Sequence, residues 1–407
     1  MNNSSPELPP YIMTSDVGSF AQYTVLKRFP AIVASVMTDN DFPPQVNADL
    51  QGLINEVANG LEVTPISPSH PEHDYWLQKL QSHENTTWLG LIWFFSEALF
   101  YQRILDLVQY FQPGPLKGKD PYWKPKQAQI TADVAALAEV YDQFENLNAR
   151  DEFDLILHSS LWGNRADLSM TALIGGSSKP GLSTQAERDY ILTDHTRQAH
   201  DFLVRGLKIV DVITDNVGAD SLFDLVLADF LIRKGWVRQV RFHSKDRPFF
   251  ISDASPDDIR QTISVLQKDD HASVQGLGRR LFSYLQDGRF TLKKDAFWSS
   301  GEVFEQMPLH LKQDLAQADL LIFKGDANYR RILGERDWPF DEPLEKVAAY
   351  FPFPFLALRT VKCEILAGIS TEKARQMRTL REKDKLTFVN GKYGVIQLRI
   401  PDHSSDQ

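Results

Sequence analysis

The sequence predicts an α/β protein: a mainly helical N-terminal domain, then a three-layer α/β/α domain with a mostly parallel sheet. Three observations predict it. Residues 1–190 carry apolar side chains at three- and four-residue spacing, the period of a helix face. Beyond them, short apolar runs rich in β-branched residues alternate with helical patterns, as parallel strands covered on both faces do. Between the two lies GGSSKPGLST at 175–184, the most flexible composition in the interior. The expected domains are therefore 1–190 and 191–407, the second a Rossmann-like catalytic unit.

In the first half the helical spacing is clearest at 19–32, 88–111, 130–147 and 152–161, with proline-rich or polar connectors at 65–73 and 113–125. In the second half, 207–214 (LKIVDVIT) reads as a buried strand and 221–233 as the helix after it. Further strands are expected at 237–242, 318–323 (ADLLIF) and 355–358. Near the end, Asn390-Gly391 between two strand-like runs at 385–399 signals a hairpin. No internal repeat is visible, which excludes a solenoid.

Acidic residues number 54 against 44 basic ones, a net charge of -10. Nucleic-acid binding draws on a basic field, so that class is excluded, whereas a small anion needs only a local cluster of cations. The single cysteine, Cys363, allows no intramolecular disulfide and reads as a small core residue without a histidine partner. The most apolar stretch, WLGLIWFF at 88–95, is far short of the ~20 residues a bilayer requires. No secretory leader is apparent. A cytoplasmic location with access to the nucleus is expected, without membrane association.

In open parallel sheets, ligands bind outside the carboxyl ends of the strands. Each expected strand leads into charged or amide groups there: Asp215-Asn216 after the first, Asp253 beyond the second, KGDANYR at 324–330 after the third, and RTVK at 359–362 after the fourth. Asp215, Asn216 and Asp253 offer oxygen donors suited to a hard divalent cation such as Mg²⁺ or Mn²⁺, with positions left for water and substrate. Lys324, Asn328, Arg330, Arg359 and Lys362 supply donors and positive charge for a phosphate, and a helix opening at 325–328 adds free amides. Metal on one side and cations on the other is an arrangement that stabilises phosphoryl transfer. Taken singly, Asp215 and Asp253 could equally be helix caps or turn residues.

The blocks DNVGAD (215–220), ISD (251–253), FKGDANYRRILGERDW (323–338) and LRTVKCEILAG (358–368) resemble the signature of the damage-control phosphatases, in particular their RTxK-motif subfamily. That subfamily holds acidic-residue methyltransferase-type proteins and sugar-phosphate phosphatases. The likeness extends upstream to SLWGNRADLS (160–169), EALFYQRI (97–104) and SFAQYTVLKRFP (19–30), in the same order. It implies a phosphatase acting on small phosphorylated metabolites, such as fructose 1-phosphate or fructose 6-phosphate, with Mn²⁺, Ni²⁺, Co²⁺ or Mg²⁺. It implies Asp215, Asn216 and Asp253 as metal ligands, and Asp326, Ala327, Asn328, Tyr329, Arg330 and Lys362 as substrate contacts, joined by Arg359 and Asn164. The catalytic residues would be Asp215, Asp253 and Asp326, the last orienting hydroxyls or acting as general base. Two departures stand out: Ala327 where the family has a bulkier aliphatic residue, and Ala219-Asp220 after the DNxG block.

The nucleophile is expected to be water. Attack by Asp215 is the alternative, disfavoured because Asn216-Val217 comes after it in place of a DxD pair. Glu97, Arg103, Asn164 and Asp167 are polar within apolar helices, and either cover the substrate or form ion pairs between helices. His70 and His73 have metal-like spacing but lack a third ligand nearby. No GxGxxG or Walker A pattern is present. The basic run at 373–385 is interleaved with acids and reads as a solvated helix face. Two rival functions are a methyltransferase using S-adenosylmethionine on protein glutamate carboxyls, and a non-catalytic sugar-phosphate-binding protein. A glycine-rich cofactor turn after the first strand, which the first rival would favour, is missing.

Overall fold

Seven strands form one sheet in the order β1-β7-β6-β5-β2-β3-β4. They are β1 (Ile191–Asp194), β2 (Leu207–Ile213), β3 (Val237–Lys245), β4 (Phe290–Asp295), β5 (Leu320–Lys324), β6 (Phe355–Thr360) and β7 (Gly394–Arg399). The computed structural model describes residues 8–144, 147–163, 185–383 and 389–401. Strands β6, β5, β2, β3 and β4 run parallel. Strand β7 pairs antiparallel with β6, and β1 pairs parallel with β7. The fold is therefore mixed α/β on a mostly parallel sheet, as the sequence predicts.

Burial on both faces explains the near-continuous apolar runs. On β5, Leu320 and Ile322 face one apolar cluster, and Leu321 and Phe323 face another, the period-two alternation of a strand. Helices Trp123–Ala138, Ala149–Gly163, Ala219–Arg233, Pro256–Gln267 and Ala272–Asp287 feed the first cluster. Helices Leu309–Leu315, Gly325–Ile332, Leu344–Val347 and Thr371–Lys383 feed the second. A third cluster, from Val25 to Tyr122 with Phe249, belongs mainly to helices Phe29–Asp39, Pro44–Ala58, His73–Gln81 and Trp93–Leu107.

The four expected N-terminal helices are present with shifted ends, and further helices occur at Pro44–Ala58, His73–Gln81 and Gln185–Arg188. The run at 19–32 is not one regular helix: Thr24–Arg28 forms a π turn, with the Phe29 N–H donating to the Thr24 carbonyl. Two strands went unpredicted. Strand β1 is only four residues long, and β4, at the sheet's edge, keeps lysines and threonine half in water. The expected hairpin partner of β7 falls largely on 384–388, outside the described residues, while β7 itself joins β6 and β1.

Two buried polar staples tie the halves together. The Lys126 ammonium, fully buried, contacts Asp120 at 3.0 Å and Asp258 at 3.1 Å. Asp133 accepts from the Ala219 N–H at 2.6 Å, capping the helix that leaves the β2 edge. Burial raises the Asp133 carboxyl from 3.8 to about 6. The folded chain therefore holds this proton more tightly than the unfolded chain. That contribution favours folding most below 3.8 and disappears as pH rises through about 6, a difference of about 3 kcal/mol. Asp133→Asn keeps an acceptor for Ala219 but cannot ionise. Thermal unfolding across that window should show the variant gaining on the parent as pH rises, and parallel pH profiles would refute the assignment.

Candidate functional site

Strand register brings the motif residues to one edge. Ile213 lies opposite both Phe323 and His243, and Lys324 lies opposite Leu358. The residues just beyond these strands thus emerge side by side. A bridge between Asn216 and Asp253 then closes the loop after β3 over the end of β2, reinforced by Val217 N–H to the Ser252 carbonyl at 2.7 Å and Ala254 N–H to the Asp215 carbonyl at 2.8 Å.

The cleft at this edge has about 50 Å³ of interior volume, and Asp215, Asn216, Asp253, Asp326, Ala327, Arg330 and Lys362 line it. These seven come from just beyond β2 and β6, from the helix Gly325–Ile332 that follows β5, and from the loop after β3. From the N-terminal helices come Phe20, Arg28, Trp93 and Glu97, with Phe250 completing the wall. Of the other expected contacts, Asn328, Tyr329 and Arg359 do not line the cleft. The Asn328 amide donates to the Lys324, Thr214 and Ile213 carbonyls, tying β5 to β2. The Tyr329 hydroxyl bonds the Ala367 carbonyl and Gln397. Asn164 and Asp167 lie outside the described residues.

Two close approaches define the acidic side. Asn216 Nδ2 donates to Asp215 Oδ2 at 2.8 Å, and its Oδ1 accepts from the Ser252 hydroxyl at 2.6 Å. Gly325 has φ +78, and a Cβ there would lie 1.8 Å from Asp215 Oδ2, so only glycine admits the carboxylate. Burial, then Asp253 and Asp220, hold the Asp215 carboxyl well above its ordinary range, against the pull of Lys245 and Lys362. Neither Asp215 nor Asp253 is needed as a cap in this fold: Asp133 caps the helix after β2, and Ser255 with Asp258 forms the capping box of Pro256–Gln267.

The cations divide by task. Lys324, fully buried, contacts Asp220 at 3.0 Å, Asp224 at 2.7 Å and the Ser160 carbonyl and hydroxyl at 2.6 Å, so it braces the sheet edge. Burial works against its charge, but the two carboxylates outweigh it and raise its proton affinity. Lys245 contacts Asp253 Oδ2 at 3.1 Å. Arg359 contacts Asp326 at 2.8 Å and the Ile365 carbonyl at 2.5 Å. Asp326 also accepts from the Lys362 N–H at 3.2 Å. Burial works to raise Asp326, yet Arg359 and Arg330 prevail and keep it below the usual carboxylate range. Arg330 faces the cleft between Glu97 and Glu335, with Trp93 4.1 Å from its guanidinium carbon.

Glu97 thus reaches the cleft and also meets Arg28 at 3.9 Å, whereas Arg103 pairs with Glu56 and Asp106 within the helical part. Sequence reasoning missed Arg28, Phe20, Trp93, Phe250 and Lys245. The signal for Lys245 was its place at a strand end; Arg28 closes a local π turn that spacing alone does not reveal. His70 and His73 serve the connector itself: the His70 ring accepts from the Glu72 N–H, and the His73 ring bonds the Ile66 carbonyl. Cys363 is buried.

No cluster of three or more His, Cys, Asp or Glu suited to a metal occurs among the described residues. The donor set here is two carboxylates and an amide, which leaves the remaining positions to water or substrate. The chemistry of the residues suits a hard cation: Asp215, Asn216 and Asp253 bring oxygen donors to one cleft, and the mutual repulsion of carboxylates crowded at the β2 edge is what a divalent ion would relieve.

The family model described as the damage-control phosphatase ARMT1-like domain matches residues 24–377. Damage-control phosphatase ARMT1 of Danio rerio is 29% identical, across 97% of this chain and 98% of that protein. The Homo sapiens protein of the same name is 26% identical, across 96% and 98%. Among solved structures, a DUF89 family protein from Pyrococcus horikoshii superposes with a TM-score of 0.51 at 14% identity, covering 93% of this chain and 99% of that one, a likeness of fold. The matched span contains every cleft residue named above except Phe20, and the chain belongs to the damage-control phosphatase ARMT1-like family.

Proposed function

We propose that this chain is a divalent-metal-dependent phosphatase for small phosphorylated metabolites, sugar phosphates being the substrate class. The observation that carries the reading is the meeting of Asp215, Asn216 and Asp253 with Asp326, Arg330 and Lys362 around one cleft. Asp215, Asn216 and Asp253 would hold the ion, Mn²⁺, Ni²⁺, Co²⁺ or Mg²⁺, all of which accept oxygen donors. When bound, it supplies Lewis-acid polarisation of the phosphoryl group and an acidified water.

The chain's own residues do the rest. For Asn216 to present oxygen, its amide must turn over, and the Ser252 hydroxyl then accepts where it now donates. Lys362 and Arg330 offset the charge spread over the phosphoryl oxygens. Asp326, pinned by Arg359 and the Lys362 N–H, stays ionised and presents an acceptor to a sugar hydroxyl. Phe20, Trp93 and Phe250 exclude water from the reacting centre.

Phosphate release from a panel of hexose and pentose phosphates should vanish with chelator and return with Mn²⁺, Co²⁺, Ni²⁺ or Mg²⁺. Binding without turnover would instead support a non-catalytic sensor, and methyl transfer from S-adenosylmethionine alone a methyltransferase. Asp253→Asn should lower kcat by more than about 100-fold, beyond what loss of a supporting partner typically costs. Gly325→Ala combines the steric clash at Asp215 with a left-handed backbone. It should reduce stability by about 1–2 kcal/mol or more and abolish phosphate release; a variant that melts and turns over like the parent would contradict the close packing.

A further inference from the structure

A second, larger cavity of about 670 Å³ lies where the N-terminal helices meet the loop after β3. That volume is typical of small-molecule sites. Tyr110, Lys119, Trp123 and Lys124 line it from the helical side, and Lys294 lines it from the end of β4.

The carboxylates in its walls are already engaged. Asp246 holds Arg247 at 2.8 Å, and Asp257 holds Arg260 at 3.0 Å. Asp120 and Asp258 share the buried Lys126. By contrast, Lys119, Lys124 and Lys294 are exposed and make no ion pair with a described residue. Trp123, among them, is 48% exposed. Counted with Lys126 and Glu72, which pair with its lining, the wall sets six cations against five carboxylates, so in a chain of net charge -10 the surroundings of this open indole are a local exception. A flat aromatic face and ammonium groups recognise different parts of one ligand: a planar base by stacking, and phosphates by charge-assisted hydrogen bonds.

We propose that this cavity is a second ligand site, which takes a nucleotide with its base on Trp123 and its phosphates against Lys119, Lys124 and Lys294. The site would bear on the catalytic cleft through one segment. Asp246, Arg247 and Pro248 at its start and Ser255 to Asp258 at its end line the second cavity, while Phe250 and Asp253 in its middle line the first. Within that segment Phe250 and Ile251 hold φ of 46 and 61, left-handed values that bulky and β-branched residues seldom adopt. An occupant touching both ends of a strained loop acts on the position of Asp253.

The test is tryptophan fluorescence of the full chain titrated with ADP, with adenosine and inorganic phosphate as separate arms. ADP should give a saturable change that Trp123→Phe removes and that Lys124→Glu with Lys294→Glu weakens by about tenfold or more, the loss expected of charge-assisted contacts. The unfolding temperature of both variants should match the parent. Adenosine and phosphate should each bind more weakly than ADP. No saturable change with ADP, a change that persists in Trp123→Phe, or inorganic phosphate binding as tightly as ADP would overturn the proposal. Because the readout is binding, its failure leaves the phosphatase reading untouched.

Discussion

Carboxylates crowd the C-terminal edge of the sheet, and the fold keeps them there with lysines taken out of water. Asp215, Asp220, Asp224 and Asp253 are all buried, as are Lys245 and Lys324. A buried ion carries a desolvation penalty of several kcal/mol unless close partners offset it. Lys324 meets that condition with two carboxylates and two oxygens of Ser160. Lys245 does so with Asp253 and, at 3.4 Å, the Thr214 carbonyl. The two lysines come from the ends of β5 and β3, on either side of β2. Local charge balance is thereby built into the strand order itself, and Lys362 and Arg330 stand at the cleft instead.

This division of labour sets the limit of what the sequence reveals. Strands β5 and β6 were legible because burial on both faces leaves an apolar run, and β2 because β-branched residues dominate it, while β3, with Arg238, Gln239, Arg241 and His243, showed only in its valines and phenylalanine. Strands β1 and β4 were not legible: one is too short to show a period, and the other is half-polar at the sheet edge. The acidic side of the site was legible because Asp215 and Asp253 each lie just past a strand or in its loop. Its cationic side was legible only in composition. Lys324, Arg359, Arg330 and Lys362 are alike as residue types, yet two brace the scaffold and two face the cleft. Which is which depends on side-chain direction at the strand ends and, for Arg330, on the face of helix Gly325–Ile332 it occupies, and that is a tertiary fact.

The helical half of the chain is more than a cover. Glu97 from helix Trp93–Leu107 fixes Arg330 from one side while Glu335 fixes it from the other, and Trp93 lies against its planar face. A guanidinium held this way has little freedom left to lose when an anion arrives, which is the advantage of a preorganised donor. The same helix packs in the third apolar cluster. Packing in the N-terminal helices and the aim of a cation at the sheet edge are therefore coupled through a single rigid element.

The π turn at Thr24–Arg28 matters through its length rather than its composition. A five-residue hydrogen-bonded step holds one residue more than an α-helical turn, so it takes up locally a residue that would rotate the remainder of a regular helix by about 100°. Arg28, the last residue of that turn, lines the cleft. A chain lacking one amino acid in this turn would close it to an α-helical step, with the helix on either side kept in register. Gaps of a single position in this stretch are accordingly changes of geometry local to the turn.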